Sequence, residues 1–282
     1  MKIKLKYIVY EFFTATVGNM LLFFLPKKAS QLSQNGMTIV NNEGMSVFER
    51  LMRRAILSKY EKKQDFNRLE ELHKNYWTNK GSDFFLETEH SFEKEFLPNC
   101  AFIFDELQNR LSQSSGPFNT LVEIGTGNGR VLEYLSSKFP TIDQFIGIDL
   151  STAQIKINNE KFNGHPRLEF VAADGFDWVK KHGTGNTIFL TSRGVLEYFT
   201  EERLQAFFRL INNLGKVIFI AIEPKGTDHD FAKNPNSQPY GYERSFSHNY
   251  PRLFENSGFD IWHLSYKPLY ESAVLGFVGA EN

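Results

Sequence analysis

Cysteine is nearly missing from these 282 residues: Cys100 stands alone, so no disulfide can form within the chain. The same scarcity excludes a thiolate zinc site, and no Asp/Asn/His cluster falls at metal-ligand spacing, so no metal is expected. Net charge is almost absent as well. At −1 the chain has no global basic field to attract nucleic acid, and none is expected as a partner. Internal repeats and low-complexity tracts are lacking. Long apolar runs are lacking too, with one exception, Tyr7–Leu25, which carries a single charge at Glu11. Its length just suffices to span a bilayer. However, Glu11, Thr14, Gly18 and Asn19 recur at helical spacing as a narrow polar stripe, which favours a helix packed on the protein or on a partner chain. Lys2, Lys4, Lys6, Lys27 and Lys28 keep a surface-lying membrane helix as the alternative. Pro26-Lys27-Lys28 stands where a signal peptide needs small residues for cleavage. The expected compartment is the reducing cytoplasm, with membrane-surface contact through residues 1–28 and a homodimer as candidate associations.

Aromatics are plentiful. Hydrophobic residues make up 41% of the chain and include 28 Phe, enough for a sizeable, ring-rich core. The first ~115 residues read as helical. A polar stretch, Ala29–Gly44, reads as a loop; Ser46-Val47-Phe48-Glu49 is a capping-box pattern opening a helix to about Lys63. Phe66, Leu69, Leu72 and Tyr76 continue a helical period that Asn79-Lys80-Gly81 should break. Helices over Glu87–Phe96 and Pro98–Leu111 precede a hinge at Ser112–Pro117. After Phe118 the pattern changes. Strand-like runs at Thr120–Ile124, Gln144–Asp149, Leu168–Ala173, Thr187–Thr191 and Lys216–Ile222 alternate with helical segments, which predicts a parallel sheet covered on both faces. Two last runs, Asp260–Tyr266 and Ala273–Ala280, are joined too closely for a parallel crossover and must pair antiparallel. The expected division is therefore a helical extension over 1–115 and an α/β domain over 116–282.

The densest chemical signal is Leu121–Arg130, LVEIGTGNGR: an apolar strand, an acid at Glu123, then Gly125-Thr126-Gly127-Asn128-Gly129. Glycines after a buried strand let a ligand approach the backbone at the start of the next helix. A dinucleotide fold would put its third glycine at position 130, where Arg130 stands. Asp149 ends the second strand 20 residues after Gly129, where a carboxylate can accept from both ribose hydroxyls or cap the helix that follows. Asp174 ends the third strand within VAADGF and has the same two readings open to it, ligand or cap. The fourth strand runs into TSRGVLEYFT, with Thr191, Glu197 and Tyr198. The long segment Glu223–Ser247 reads as a binding loop or lid, and His229 and His248 beside it are titratable near neutrality.

From about Phe118 to the end, this glycine loop, the two strand-end acids and the closing hairpin resemble the class I S-adenosylmethionine-dependent methyltransferases. The resemblance implies a Rossmann-like sheet of seven strands with the last one antiparallel, and S-adenosylmethionine as cofactor. It implies that Glu123, Gly125, Thr126, Gly127 and Gly129 meet the methionyl and ribose portions, Asp149 and Leu150 the ribose, and Asp174, Gly175 and Phe176 the adenine, with Thr191 beneath the reactive centre. Glu197 and Tyr198 fall where many relatives place an acid and a histidine. Those two, with His248, are the catalytic candidates. No Asp-Pro-Pro-Tyr-type motif follows the fourth strand, so the expected acceptor is a small molecule methylated on O or N. A binding protein without turnover, or a membrane-surface enzyme with a lipid-like acceptor, are the alternatives. The helical N-terminal part resembles no known pattern.

Overall fold

The structure, a computed structural model, describes residues 12–34, 45–88, 90–114, 116–270 and 273–282. Two compact units emerge: residues 1–79 with 239–245, and residues 80–238 with 246–282. The boundary expected near residue 115 falls inside the second unit, because the helices after Lys80 belong with the sheet.

The second unit is built on strands β1 (Thr120–Ile124), β2 (Gln144–Asp149), β3 (Leu168–Ala172), β4 (Thr187–Ser192), β5 (Val217–Gly226), β8 (Asp260–Tyr270) and β9 (Ala273–Glu281). They form one seven-stranded sheet in the order β3-β2-β1-β4-β5-β9-β8. The pairs from β3 to β5 are parallel, whereas β9 runs antiparallel to both β5 and β8. This is the predicted Rossmann-like layout. Two further short strands, β6 (Gln238–Tyr240) and β7 (Ser245–Ser247), pair separately. The central strands are apolar on both sides because helices cover both faces. Ile188, Leu190, Ile218 and Ile220 point into one core layer with Phe104, Leu132 and Phe145, while Phe189 and Phe219 point into the other with Phe207, Phe208 and Phe254. In that second layer Phe208 stacks on Phe254 at 4.0 Å between centroids.

The helices are α1 (Asn19–Phe24), α2 (Pro26–Gln34), α3 (Val47–Lys62), α4 (Phe66–Glu87), α5 (Leu97–Cys100), α6 (Phe102–Gln113), α7 (Arg130–Lys138), α8 (Thr152–Lys161), α9 (Gly175–His182), α10 (Glu201–Asn212) and α11 (Tyr250–Glu255). Helix α3 matches its predicted bounds to within a residue. The Ser46 cap forms in full: its hydroxyl accepts from Glu49 N, and the Glu49 carboxylate accepts from Ser46 N at 2.8 Å. Two expectations fail. Residues 29–34 are helical rather than loop, since Pro26 can open a helix and Leu32 is buried on it; residues 35–44 of that predicted loop lie outside the described part. The break at Asn79–Gly81 does not occur either, and α4 runs on to Glu87. A glycine inside a helix costs only about 1 kcal/mol. Burying Leu69, Leu72 and Tyr76 on the same helix contributes roughly 2 kcal/mol each and outweighs it.

In the first unit, Thr14–Gly18 forms one turn of π-helix ahead of α1. Residues 239–245 return to this unit through an Arg244–Glu61 ion pair at 2.7 Å and through Tyr242, whose ring lies 4.5 Å from the Arg54 guanidinium. Among the described residues no helix is long and apolar enough to cross a membrane.

Candidate active site at the carboxyl ends of the strands

Strand order reverses between β1 and β4, and in open α/β sheets such a switch point leaves a crevice beyond the carboxyl ends. The glycine loop occupies it. Gly125 N and Thr126 N both donate to Ile148 O, at 2.8 and 3.0 Å, tying the loop to β2. Gly127 sits at φ +52°, and a Cβ built there would lie 2.6 Å from the ring of Phe85, so only glycine fits under that ring. Buried Asn158 donates to Gly127 O at 2.7 Å and is itself held by Gln154 at 2.8 Å. Asn158, Gln154 and Phe85 escape the sequence reading. Phe85 was hidden by the mistaken helix break at Gly81; the amides sit on α8 without a motif to flag them.

Asp149 joins this loop directly. One carboxylate oxygen accepts from Gly127 N at 3.0 Å and the other from Ser151 N at 2.9 Å. Ser151, not Asp149, caps α8, through its hydroxyl to Gln154 N. Burial raises the Asp149 pKa, opposed by these backbone donors. Leu150 follows at the mouth of the crevice, half-buried. Each Asp149 oxygen keeps a lone pair for a ligand hydroxyl.

Glu123 is wholly buried and accepts from Thr126 Oγ1 at 2.8 Å and Ser192 Oγ at 2.5 Å. Burial pushes its carboxyl up to about 7, against the pull of those hydroxyls, with the Asp149 charge adding to the rise. Through Ser192 the β1 acid is linked to the end of β4. Thr191, buried one residue earlier, sits beside a second acid that the sequence reading missed, Glu223. Glu223 accepts from Val195 N at 3.0 Å and Leu196 N at 3.1 Å, and burial pushes it likewise to about 7. It thereby fixes the short turn Leu196–Tyr198 that carries Glu197 and Tyr198. Glu197 is buried there, Tyr198 half-buried.

Two expected residues are already engaged within the protein. Asp174 caps α9, accepting from Phe176 N at 3.0 Å, and both of its oxygens also accept from Arg203 at 2.7 Å. The capping reading left open for it is the one the geometry displays. Beside it, Gly175 leaves no room for a Cβ against Ile124, and Phe176 packs on Phe207 at 5.6 Å. His248 departs further from expectation. It is fully buried, its Nε2–H donates to Leu196 O at 3.1 Å, and its Nδ1 accepts from Ser237 at 2.6 Å. A carbonyl can only accept, which settles the tautomer. Burial depresses its pKa to about 3. A neutral imidazole with both nitrogens engaged cannot collect a proton from an acceptor. His229 is similarly engaged, by Ser247 at 2.9 Å and Asn234 O at 3.0 Å. The ends of the predicted lid are thus pinned by buried histidines.

A seven-stranded sheet of this order, with a glycine loop at its switch point and acids ending β1 and β2, is the class I methyltransferase fold. Residues 121–216 match the model of a methyltransferase domain family, whose cofactor is S-adenosylmethionine. The fold assignment agrees with a solved structure, magnesium protoporphyrin IX methyltransferase from Synechocystis PCC 6803 with bound S-adenosylmethionine. It is similar to this chain at 13% identity and a TM-score of 0.52, over 76% of this chain and 97% of that one. Also similar are a mycolic acid cyclopropane synthase (13% identity, TM-score 0.48, 64% and 84% covered) and a sarcosine dimethylglycine methyltransferase from Galdieria sulphuraria (9%, 0.49, 67% and 87%). No curated protein sequence matches the chain.

Proposed function

We propose that this chain binds S-adenosylmethionine at the carboxyl ends of β1 and β2 and transfers its methyl group to an oxygen or nitrogen of a small molecule. The observation that carries this reading is the Asp149–Gly127 hydrogen bond at 3.0 Å, which holds a carboxylate and the glycine turn together at the switch point. Three features support such a ligand: Gly125 at the start of the loop is only half-buried, Asp149 retains acceptor capacity, and Glu123 offers a carboxylate to an ammonium. When bound, the sulfonium supplies an electrophilic methyl on a good leaving group. The chain then needs mainly to orient an acceptor and exclude water. Thr191, Ser192, Glu197 and Tyr198 are the groups set on the acceptor side, and Glu223 is a positioning residue for the last two. We assign no proton to His248. A net charge of −1 favours a small acceptor over nucleic acid.

The second reading, binding without turnover, is favoured by the bidentate Arg203 grip on Asp174, which engages the acid expected to read the adenine. Calorimetric titration with S-adenosylmethionine, followed by tritiated-methyl transfer into a metabolite extract, separates the two. Binding lost in Gly127→Arg and Asp149→Ala, with label transferred by the wild type, supports the enzyme. Binding without transfer supports the second reading, and affinity unchanged in both variants contradicts the site.

A further inference from the structure

The first helical turns of the described chain leave large apolar side chains in solvent. Thr14 and Gly18 of the stripe are buried, Gly18 against Leu51 and Ala55 of α3, whereas Asn19 is exposed and several large apolar side chains face outward. Phe12 is 64% exposed, Met20 53%, Phe23 78% and Phe24 68%. A soluble surface helix normally does the reverse. The exposure continues on a second element: Val47 and Phe48, at the start of α3, are 63% and 60% exposed. These two groups share one corner of the unit, because Lys28 at the start of α2 bonds Glu49 in the first turn of α3 at 2.7 Å. That ion pair pins the bend Phe23-Phe24-Leu25, where α1 ends and α2 begins, close to Val47-Phe48. At the tip the Phe23 and Phe24 rings pair edge-on at 5.1 Å. Clustered exposed apolar residues of this size mark an interaction surface.

Charge identifies the occupant. From Phe12 to Gln34 the chain carries no acid and two bases, Lys27 and Lys28, and Arg50 is exposed beside Glu49 on α3. Lys28 is committed to Glu49 and the Arg50 guanidinium donates to Met45 O at 3.1 Å, which leaves Lys27 as the exposed cation of this corner among the described residues; Lys2, Lys4 and Lys6 precede it in the sequence. Exposed aromatic residues followed by Lys27, on a segment without acids, suit an anionic headgroup layer, rings seated at the acyl boundary and the cation among the phosphates. We infer that this corner docks the protein onto an anionic lipid surface, lying on the bilayer without spanning it. The inference is independent of methyl transfer.

The test is co-sedimentation of the full chain with phosphatidylcholine vesicles, with and without roughly a quarter phosphatidylglycerol. The wild type should pellet with the anionic vesicles, at least tenfold more than with the neutral ones, and should be released by salt at about 0.5 M. Phe23→Ser/Phe24→Ser, changed only at exposed side chains, should lose this binding at least tenfold while keeping the wild-type melting temperature. Lys27→Glu should lose it severalfold. Failure of the wild type to pellet with anionic vesicles overturns the inference, as does equal pelleting of the double variant. A lipid-free dimer by light scattering that the double variant dissolves, without vesicle binding, reassigns the corner to a second copy of the chain.

Discussion

Glu123 and Glu223 lie on either side of β4, at the same end of the sheet, wholly buried and both pushed to about 7. They differ in what they hold. Glu123 accepts from two hydroxyls, Thr126 and Ser192, which can rotate away. Glu223 accepts from the backbone amides of Val195 and Leu196, which cannot. A buried acid with exchangeable donors is free to take a new cation, whereas one facing fixed amides is committed to the fold. The first belongs to the ligand, the second to the scaffold that presents Glu197 and Tyr198.

Four experiments break or sharpen this contrast. The largest effect is expected from Glu223→Ala, which strands two inward-facing amides and leaves a void. Urea unfolding should register a loss of about 3 kcal/mol, while S-adenosylmethionine affinity of the folded fraction changes less than threefold. A large affinity loss with intact stability would reverse the assignment.

Next is pH. Each acid binds its proton more tightly in the folded chain, at about 7 against an ordinary 4.5, so the folded state holds more protons between those values. Stability should therefore fall as pH rises through that window and level off above 7, by up to about 3 kcal/mol per acid. His248, lowered to about 3 from 6.5, contributes the opposite slope below 6.5, so the comparison is made between wild type and Glu223→Gln, where that contribution cancels. The wild-type stability minus that of the variant should fall by about 3 kcal/mol as pH rises from 4.5 to 7, and a flat difference would mean that Glu223 is ionised in the fold.

Glu123→Gln should be milder for the fold and harder on the ligand. Thr126 and Ser192 can turn to suit an amide, so the stability change should stay under about 1 kcal/mol, with S-adenosylmethionine affinity down at least tenfold. Proton release on binding near neutral pH, read from the buffer dependence of the calorimetric enthalpy, should vanish in Glu123→Gln and persist in Glu223→Gln. The smallest effect is expected from His248→Asn: about 1 kcal/mol of stability and no change in the shape of the pH–rate profile. Loss of the acid limb there would restore the histidine as a base.

The β1–β2 side of the site was legible because its chemistry is local. A glycine turn, a strand-end acid and a helix start are contiguous in LVEIGTGNGR, and Asp149 repeats the strand-end position. The β4–β5 side was not, because its logic is tertiary. Glu223 reads as one acid at the edge of a long polar segment until the fold brings it under Val195 and Leu196, and His248 reads as a titratable catalytic candidate until burial and Leu196 O claim it. Asp174 shows a third kind of gap: the cap was readable from position, but Arg203, 29 residues on, was not. In the helical unit the capping box at Ser46 was plain, yet the period did not announce that Thr14 and Gly18 would be buried while Phe12, Phe23 and Phe24 stay exposed.

The account stands most directly on one titration: wild-type protein against S-adenosylmethionine and NADH, side by side in the calorimeter. Micromolar binding of S-adenosylmethionine with NADH silent is the predicted result. Binding of NADH, or of neither, would contradict it.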